Sequence, residues 1–171
     1  MTKAMTAPAY VCRLDTPLGP ATVCAADEAL CGFWFIGQKY YPKQTGHWIE
    51  QPEYPVFPAL QRWLDGYFAA LAPKPDFALA LHGTPFQKAV WDLILKIPYG
   101  KTATYGELAQ QLAAIQGIPS MSAQAVGGAV GHNPISLLIP CHRVVGSTGK
   151  LTGYAGGLDK KQILLSLEKN T

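Results

Sequence analysis

The stretch Ile135-Ser136-Leu137-Leu138-Ile139-Pro140-Cys141-His142-Arg143-Val144-Val145 governs how the rest of the chain is read. A short apolar run ends at a proline, and a thiol and an imidazole follow directly. Residues 135–139 read as a buried strand, because the run is brief and β-branched residues flank the leucines. Pro140 has no N–H to give and stops the strand. Cys141 then sits at the exit of a rigid element, where a side chain can be aimed. Thiols react as thiolates, and a nearby base helps to form them. A buried cysteine beside a surface histidine is the plain alternative for any such pair.

At 171 residues the chain fits one large domain or two small ones. With 49% hydrophobic and 15% charged residues it is a packed protein, not a disordered one. A net charge of +3 does not by itself point to nucleic acid. Its distribution says more. Residues 1–84 carry six Lys/Arg against seven Asp/Glu, and residues 85–171 carry eight against four. The positive charge lies in the half that holds Cys141, as phosphate contact requires; a chance imbalance is the alternative.

The cysteines Cys12, Cys24, Cys31 and Cys141 match no zinc ribbon or finger spacing. Residues 1–8 lack a charged head followed by an apolar run, and no run is long enough to span a membrane. A cytoplasmic location with free thiols is expected, with no membrane contact. Cys12, Cys24, Cys31 and His82 could gather around zinc, but buried thiols are the preferred reading. No metal and no cofactor are expected.

In chain order, residues 9–15, 21–25 and 30–36 read as three strands of an antiparallel meander, broken at Pro17-Leu18-Gly19-Pro20 and Asp27-Glu28. Residues 39–55 read as loop. Leu60, Trp63, Leu64, Tyr67, Phe68 and Leu71 fall at helical spacing and form a core stripe. No chemistry is expected in this half. Ala72-Pro73-Lys74-Pro75-Asp76 is a stiff linker, and residues 77–81 add a further strand. Thr84, Pro85 and Gln87 make a capping-box start to a helix, with Phe86, Ala89, Val90, Leu93, Ile94 and Ile97 as its apolar face. Pro98-Tyr99-Gly100 ends it.

A second helix is expected over residues 105–115, with Leu108, Leu112 and Ile115 inward, and a third over 122–131. Two short helices with a turn between them suggest a helix-turn-helix. Glycine in a helix costs about 1 kcal/mol relative to alanine. Gly127, Gly128 and Gly131 are tolerable where another backbone must come close. A last helix is expected from Asp159 to about residue 169, carrying Glu168 toward the core.

The motifs resemble those of the O6-alkylguanine-DNA alkyltransferases, the methylated-DNA–protein-cysteine methyltransferases. Asn133-Pro134 is followed by Ile139-Pro140-Cys141-His142-Arg143-Val144, then Gly153-Tyr154-Ala155-Gly156-Gly157 and Glu168. Upstream, Gly83-Thr84-Pro85-Phe86-Gln87 and Thr104-Tyr105-Gly106-Glu107-Leu108 also match. The resemblance is close from Gly83 onward and weaker, but ordered, before it. It implies an α+β fold: a small antiparallel sheet with a packed helix, ribonuclease H-like, over residues 1–81. A mostly helical unit, with the helix-turn-helix and the active-site loop, follows over 82–171.

The resemblance also implies a function. The alkyl group of O6-alkylguanine, and of O4-alkylthymine, passes once and irreversibly to Cys141 after the damaged base is flipped from the stack. His142 acts as base through a water, and Glu168 fixes its tautomer. Tyr105 donates to guanine N3, Tyr154 walls the pocket, and the Ala155 N–H meets O6. The Cys141 and Val144 carbonyls accept from the exocyclic amine. Val130 and Leu151 line the pocket, and Asn133 ties the recognition helix to the Cys141 loop. Ser122, Ala123, Gln124, Ala125, Gly127 and Gly128 meet double-stranded DNA in the minor groove, with the protein a monomer. Gln124 departs from the family, whose members carry an inserting arginine there, so weaker DNA binding is expected than in a Gln124→Arg variant. Two alternatives remain: a damaged-DNA-binding module without transfer, and a Cys-His hydrolase.

Overall fold

The computed structural model describes residues 8–42 and 47–169. The start of the chain, residues 1–7, and residues 43–46 of the expected loop lie outside the described residues.

The meander forms as read. Strands β1 (Ala9–Thr16), β2 (Gly19–Ala26) and β3 (Ala29–Phe35) pair antiparallel in sequence. Asp27 and Glu28 both take positive φ, 50° and 63°, the twist a tight two-residue hairpin needs. The expected loop hides a strand. β4 (Trp48–Glu50) pairs parallel with β1, and β5 (Ala78–Leu79) pairs parallel with β3, giving the order β4-β1-β2-β3-β5. Three residues with little alternation leave no period to detect.

Helix α1 (Val56–Phe68) lays Val56, Phe57, Leu60, Trp63, Leu64 and Tyr67 onto one face of the sheet. It stops short of the expected stripe. Ala70 turns left-handed, and Leu71 lies outside the helix, 72% exposed. On the other face a small cluster of Ala9, Cys24, Ala26 and Cys31 sits beside Trp34 stacked on Trp48.

Helix α2 (Pro85–Leu95) begins with the expected capping box: Thr84 accepts from the Gln87 N–H, and the Gln87 side chain accepts from the Thr84 N–H. The strands β6 (Ala103–Thr104) and β7 (Val144–Val145) make a small parallel pair. Helix α3 (Tyr105–Gln116) starts with a second capping box, Thr104 with Glu107, and ends at Gly117 in the left-handed region, φ 68°. Its Leu108 and Leu112 face the core, but Ile115 is exposed. Helix α4 (Ala123–Gly131) is capped by Ser122, whose hydroxyl accepts from the Ala125 N–H. Trp91 of α2 donates its indole N–H to Ala129 O at 2.9 Å and so fixes the pose of α4. Helix α5 (Leu158–Lys169) closes the described chain.

Residues 135–139 are not a strand. Ile135 makes a single parallel bridge to Phe33, with Phe33 N–H donating to Pro134 O at 2.9 Å and Ser136 N–H to Phe33 O at 3.0 Å. Leu137 then turns left-handed, φ 69°, and Ile139 N–H reaches back to Ile135 O. The run is apolar because it is buried on every side, with Ile135 and Ile139 fully so. Periodicity cannot tell that from a strand. No helix among the described residues is long and apolar enough to cross a membrane.

Candidate active site

Pro140 leads into a single 3-10 turn, Cys141–Arg143. The turn makes consecutive side chains diverge, so Cys141 and His142 serve different neighbours. Both are buried. Asn133 holds the segment that precedes them. Its Nδ2 donates to Ile139 O at 2.8 Å and to Cys141 Sγ at 3.0 Å, and its Oδ1 accepts from Ile135 N–H at 2.9 Å. Asn133 therefore touches the sulfur as well as the backbone. Burial pushes the Cys141 thiol up, while the Asn133 amide and the Lys161 ammonium pull it down.

His142 points into the core beneath. Its Nε2 lies 2.5 Å from Glu168 Oε2. Glu168 is also held by Arg143, Nε to Oε1 at 2.7 Å and Nη2 to Oε2 at 3.2 Å, and by the Gly100 N–H at 3.1 Å. Tyr67 of α1 donates its hydroxyl to Glu168 Oε2 at 2.7 Å. Burial works against the charge on Glu168, but the donors His142, Arg143 and Tyr67 overcome it and bring its pKa to about 2. Burial pushes His142 down, so the imidazole is neutral against an ionised carboxylate. A carboxylate only accepts, so Nε2 carries the proton and Nδ1 keeps the lone pair. Nδ1 is buried without a hydrogen-bond partner among the described residues. The pair is a neutral base with its tautomer fixed.

Beyond the sulfur opens a cavity of about 350 Å³. Cys141, Tyr105, Tyr154, Ala155, Gly127, Gly128 and Val130 line it, as do Lys39 and Tyr40 from the sheet half. Tyr105 donates to Thr152 O at 3.1 Å. Tyr154 OH is buried without a partner among the described residues, and burial pushes its pKa well up. Two expected site residues are not in that lining. Leu151 lines a separate depression with Val145, Leu165 and Lys169. Val144 is fully buried, outside the lining, and its carbonyl accepts from Lys161 Nζ. On α4, Ser122, Ala123, Gln124, Ala125 and Gly128 are exposed together, while Gly127 faces Tyr105.

Three of the groups that build this site were not singled out from sequence. Tyr67 belongs to the core stripe, and its ring does pack there; a tyrosine where phenylalanine would pack signals a hydroxyl that needs a partner. Arg143 lies in the motif, which assigns it no role. Lys161 is fully buried and donates to Val144 O at 2.5 Å, Thr152 O at 2.9 Å and Gly153 O at 3.1 Å. Burial brings its pKa to about 8. It clamps the loop that carries Tyr154. Among the described residues no three His, Cys, Asp or Glu side chains gather as a metal site. Cys24 and Cys31 lie 3.4 Å apart, in the cluster opposite Cys12.

Comparison with known proteins places this geometry. Residues 10–75 match the family model for the ribonuclease-like domain of 6-O-methylguanine DNA methyltransferase, and residues 85–170 match the model for its DNA-binding domain. A methylated-DNA–protein-cysteine methyltransferase of Mycolicibacterium paratuberculosis is 46% identical, covering 91% of this chain and 90% of the relative. One from Methanosarcina acetivorans is 43% identical, covering 93% and 97%. The crystal structure of Mycobacterium tuberculosis OGT in complex with DNA superposes with a TM-score of 0.83 at 41% identity, covering 94% of this chain and 93% of that one. Both halves of the chain, the sheet with its helix and the helical unit with its thiol, thus find counterparts in order, and the chain belongs to the 6-O-methylguanine DNA methyltransferase family.

Proposed function

We propose that this chain repairs DNA by direct reversal, moving the alkyl group of O6-alkylguanine, and of O4-alkylthymine, onto Cys141. The carrying observation is the placement of one sulfur between two environments. On one side is a cavity lined by aromatic rings and glycines. On the other is a buried imidazole–carboxylate pair.

The thiol proton passes to His142 Nδ1 through a water, because adjacent residues on a 3-10 turn diverge. Glu168 stabilises the imidazolium that results. The thiolate attacks the alkyl carbon, a C–S bond forms, and the C–O6 bond breaks with its electron pair left on the guanine. Tyr105 donates a hydrogen bond from its hydroxyl to N3 as charge grows there, and the Ala155 N–H steadies O6. The Cys141 carbonyl accepts from the exocyclic amine. Tyr154 and Val130 wall the base. The product is a thioether, which offers no easy leaving group, so each molecule acts once.

Helix α4 enters the minor groove with its exposed face of small residues. That groove distinguishes sequence poorly, which suits a repair protein whose lesions occur anywhere. Gln124, at the start of α4, fills the place of the extruded base. The scaffold unit, residues 1–81, contributes Tyr67 to the carboxylate. Free cysteines fit a cytoplasmic setting.

Intact mass after incubation with a methylguanine duplex tests this. One added methyl per molecule is expected, mapping to Cys141 and absent in Cys141→Ser. Many lesions repaired per molecule, or undiminished repair by Cys141→Ser, would overturn it.

A further inference from the structure

The sheet half reaches the Cys141 cavity through the turn that follows β3, and that turn is strained. Tyr40 takes φ 61°, a region that costs a non-glycine residue about 1 kcal/mol or more and persists only where neighbours impose it. They do so here. Lys39 N–H donates to Ala155 O at 3.0 Å, and Tyr41 N–H donates to Gln38 O at 3.3 Å. Gln38 Oε1 accepts from Phe35 N–H at 2.8 Å, and Tyr41 OH meets Thr22 Oγ1 at 2.7 Å.

The strain places one ring. Tyr40 stacks on His132, centroids 3.9 Å apart at 24°. Lys39 Nζ lies 5.0 Å from the ring centroid, within cation–π reach. A Cβ added at Gly131 would lie 3.8 Å from Tyr40 Cε2, so the ring covers the end of α4. Tyr40 lines the same cavity as Cys141, yet it is 49% exposed, and so it is held by contacts rather than by burial. Of the three tyrosines in that lining, Tyr105 and Tyr154 serve the base. Tyr40, the third, has no role in that reading.

We propose that Tyr40, seated on His132, is a specificity-determining residue that limits how far an O6-substituent can extend beyond its reacting carbon. The inference rests on the alkyl-transfer reading above. It leaves the chemistry unchanged: the same C–S bond forms and the same C–O6 bond breaks, whatever the carbon carries. The ring sets a bound on size, so methyl is accepted and a benzyl group meets an aromatic wall.

The test compares time courses of intact mass for the full chain with two duplexes, one holding O6-methylguanine and one O6-benzylguanine. In Tyr40→Ala the benzyl-to-methyl rate ratio is expected to rise about tenfold or more, the scale on which pocket walls discriminate apolar groups. His132→Ala, which removes the stacking partner, should move the ratio the same way, and Tyr40→Phe should leave it alone. An unchanged ratio in both alanine variants overturns the proposal. So does an equal fall in both rates, which would make Tyr40 a base- or DNA-positioning residue. Absence of methyl transfer by the unaltered chain would instead bring down the alkyl-transfer reading.

Discussion

Glu168 shows how much one residue can organise. It sits near the end of α5, yet it gathers donors from α1, from the 3-10 turn and from the Gly100 backbone. Its pKa falls from the ordinary 4.5 to about 2. A carboxyl whose folded pKa is depressed stabilises the fold above its unfolded pKa and loses that contribution as pH falls through the folded one. The contribution is therefore complete above about pH 4.5 and gone below about pH 2. Glu168→Gln leaves Arg143 without its buried counter-charge, a change that costs about 3 kcal/mol at neutral pH. The gap between the two proteins in denaturant unfolding should narrow steadily as pH drops through that window. A gap of constant size at all pH values would mean that the carboxylate charge is not what holds the pair. The same substitution should slow alkyl transfer, because an amide steadies an imidazolium less well than a carboxylate.

At the level of elements, α4 sets function against stability. Gly128 lies inside a helix, and a Cβ built there meets nothing within 4 Å. Gly128→Ala should stabilise the protein by about 1 kcal/mol, the ordinary gain of alanine over glycine in a helix. The added methyl points out from the exposed face proposed for the minor groove, so duplex binding should weaken. Thermal melting and a duplex titration check the two signs separately. A variant that gains stability and binds unchanged would remove Gly128 from the interface. The elements also mark what the sequence disclosed. Strong local signals come through: the Thr84 capping box, the Asp27-Glu28 hairpin turn and the glycine-bearing α4 stand where the sequence predicts them. Signals that depend on partners far along the chain did not. Three-residue β4 exists only because β1 offers it an edge. Residues 135–139 are apolar through all-round burial, which a strand would equally require. Helix α5 buries Lys161 while exposing Leu158 and Ile163, against any hydropathy rule. Only knowledge of the carbonyls around Lys161 makes that orientation sensible. The thiol, the imidazole and the carboxylate were legible because a motif marks them. Tyr67, Tyr40 and Lys161 carried no motif and became visible only in three dimensions.

Across the whole molecule, the reacting sulfur is wired to the sheet. Asn133 binds Cys141 Sγ, Ile139 O and Ile135 N–H at once. The residues on either side of Ile135 then bond to Phe33 in β3. Cys141 itself is only 4% exposed. A methyl added to that sulfur must displace something. It weakens the sulfur as an acceptor for Asn133 Nδ2, and it enlarges a side chain in a packed region, which costs about 1–3 kcal/mol. Asn133 cannot shift alone, because its other bonds fix the turn that docks on β3. The strain therefore passes from the 3-10 turn into the sheet and, through Asn133 at the end of α4, toward the proposed DNA-binding face. Protein that has reacted should melt several degrees below unreacted protein, since about 1 kcal/mol moves a domain of this size by roughly 2–4 °C. It should also bind undamaged duplex less tightly, which would free the lesion site after a single repair. Melting curves of one preparation before and after stoichiometric reaction decide the matter. Coincident curves would mean that the cavity takes up the methyl without moving Asn133, and that release from DNA needs another cause.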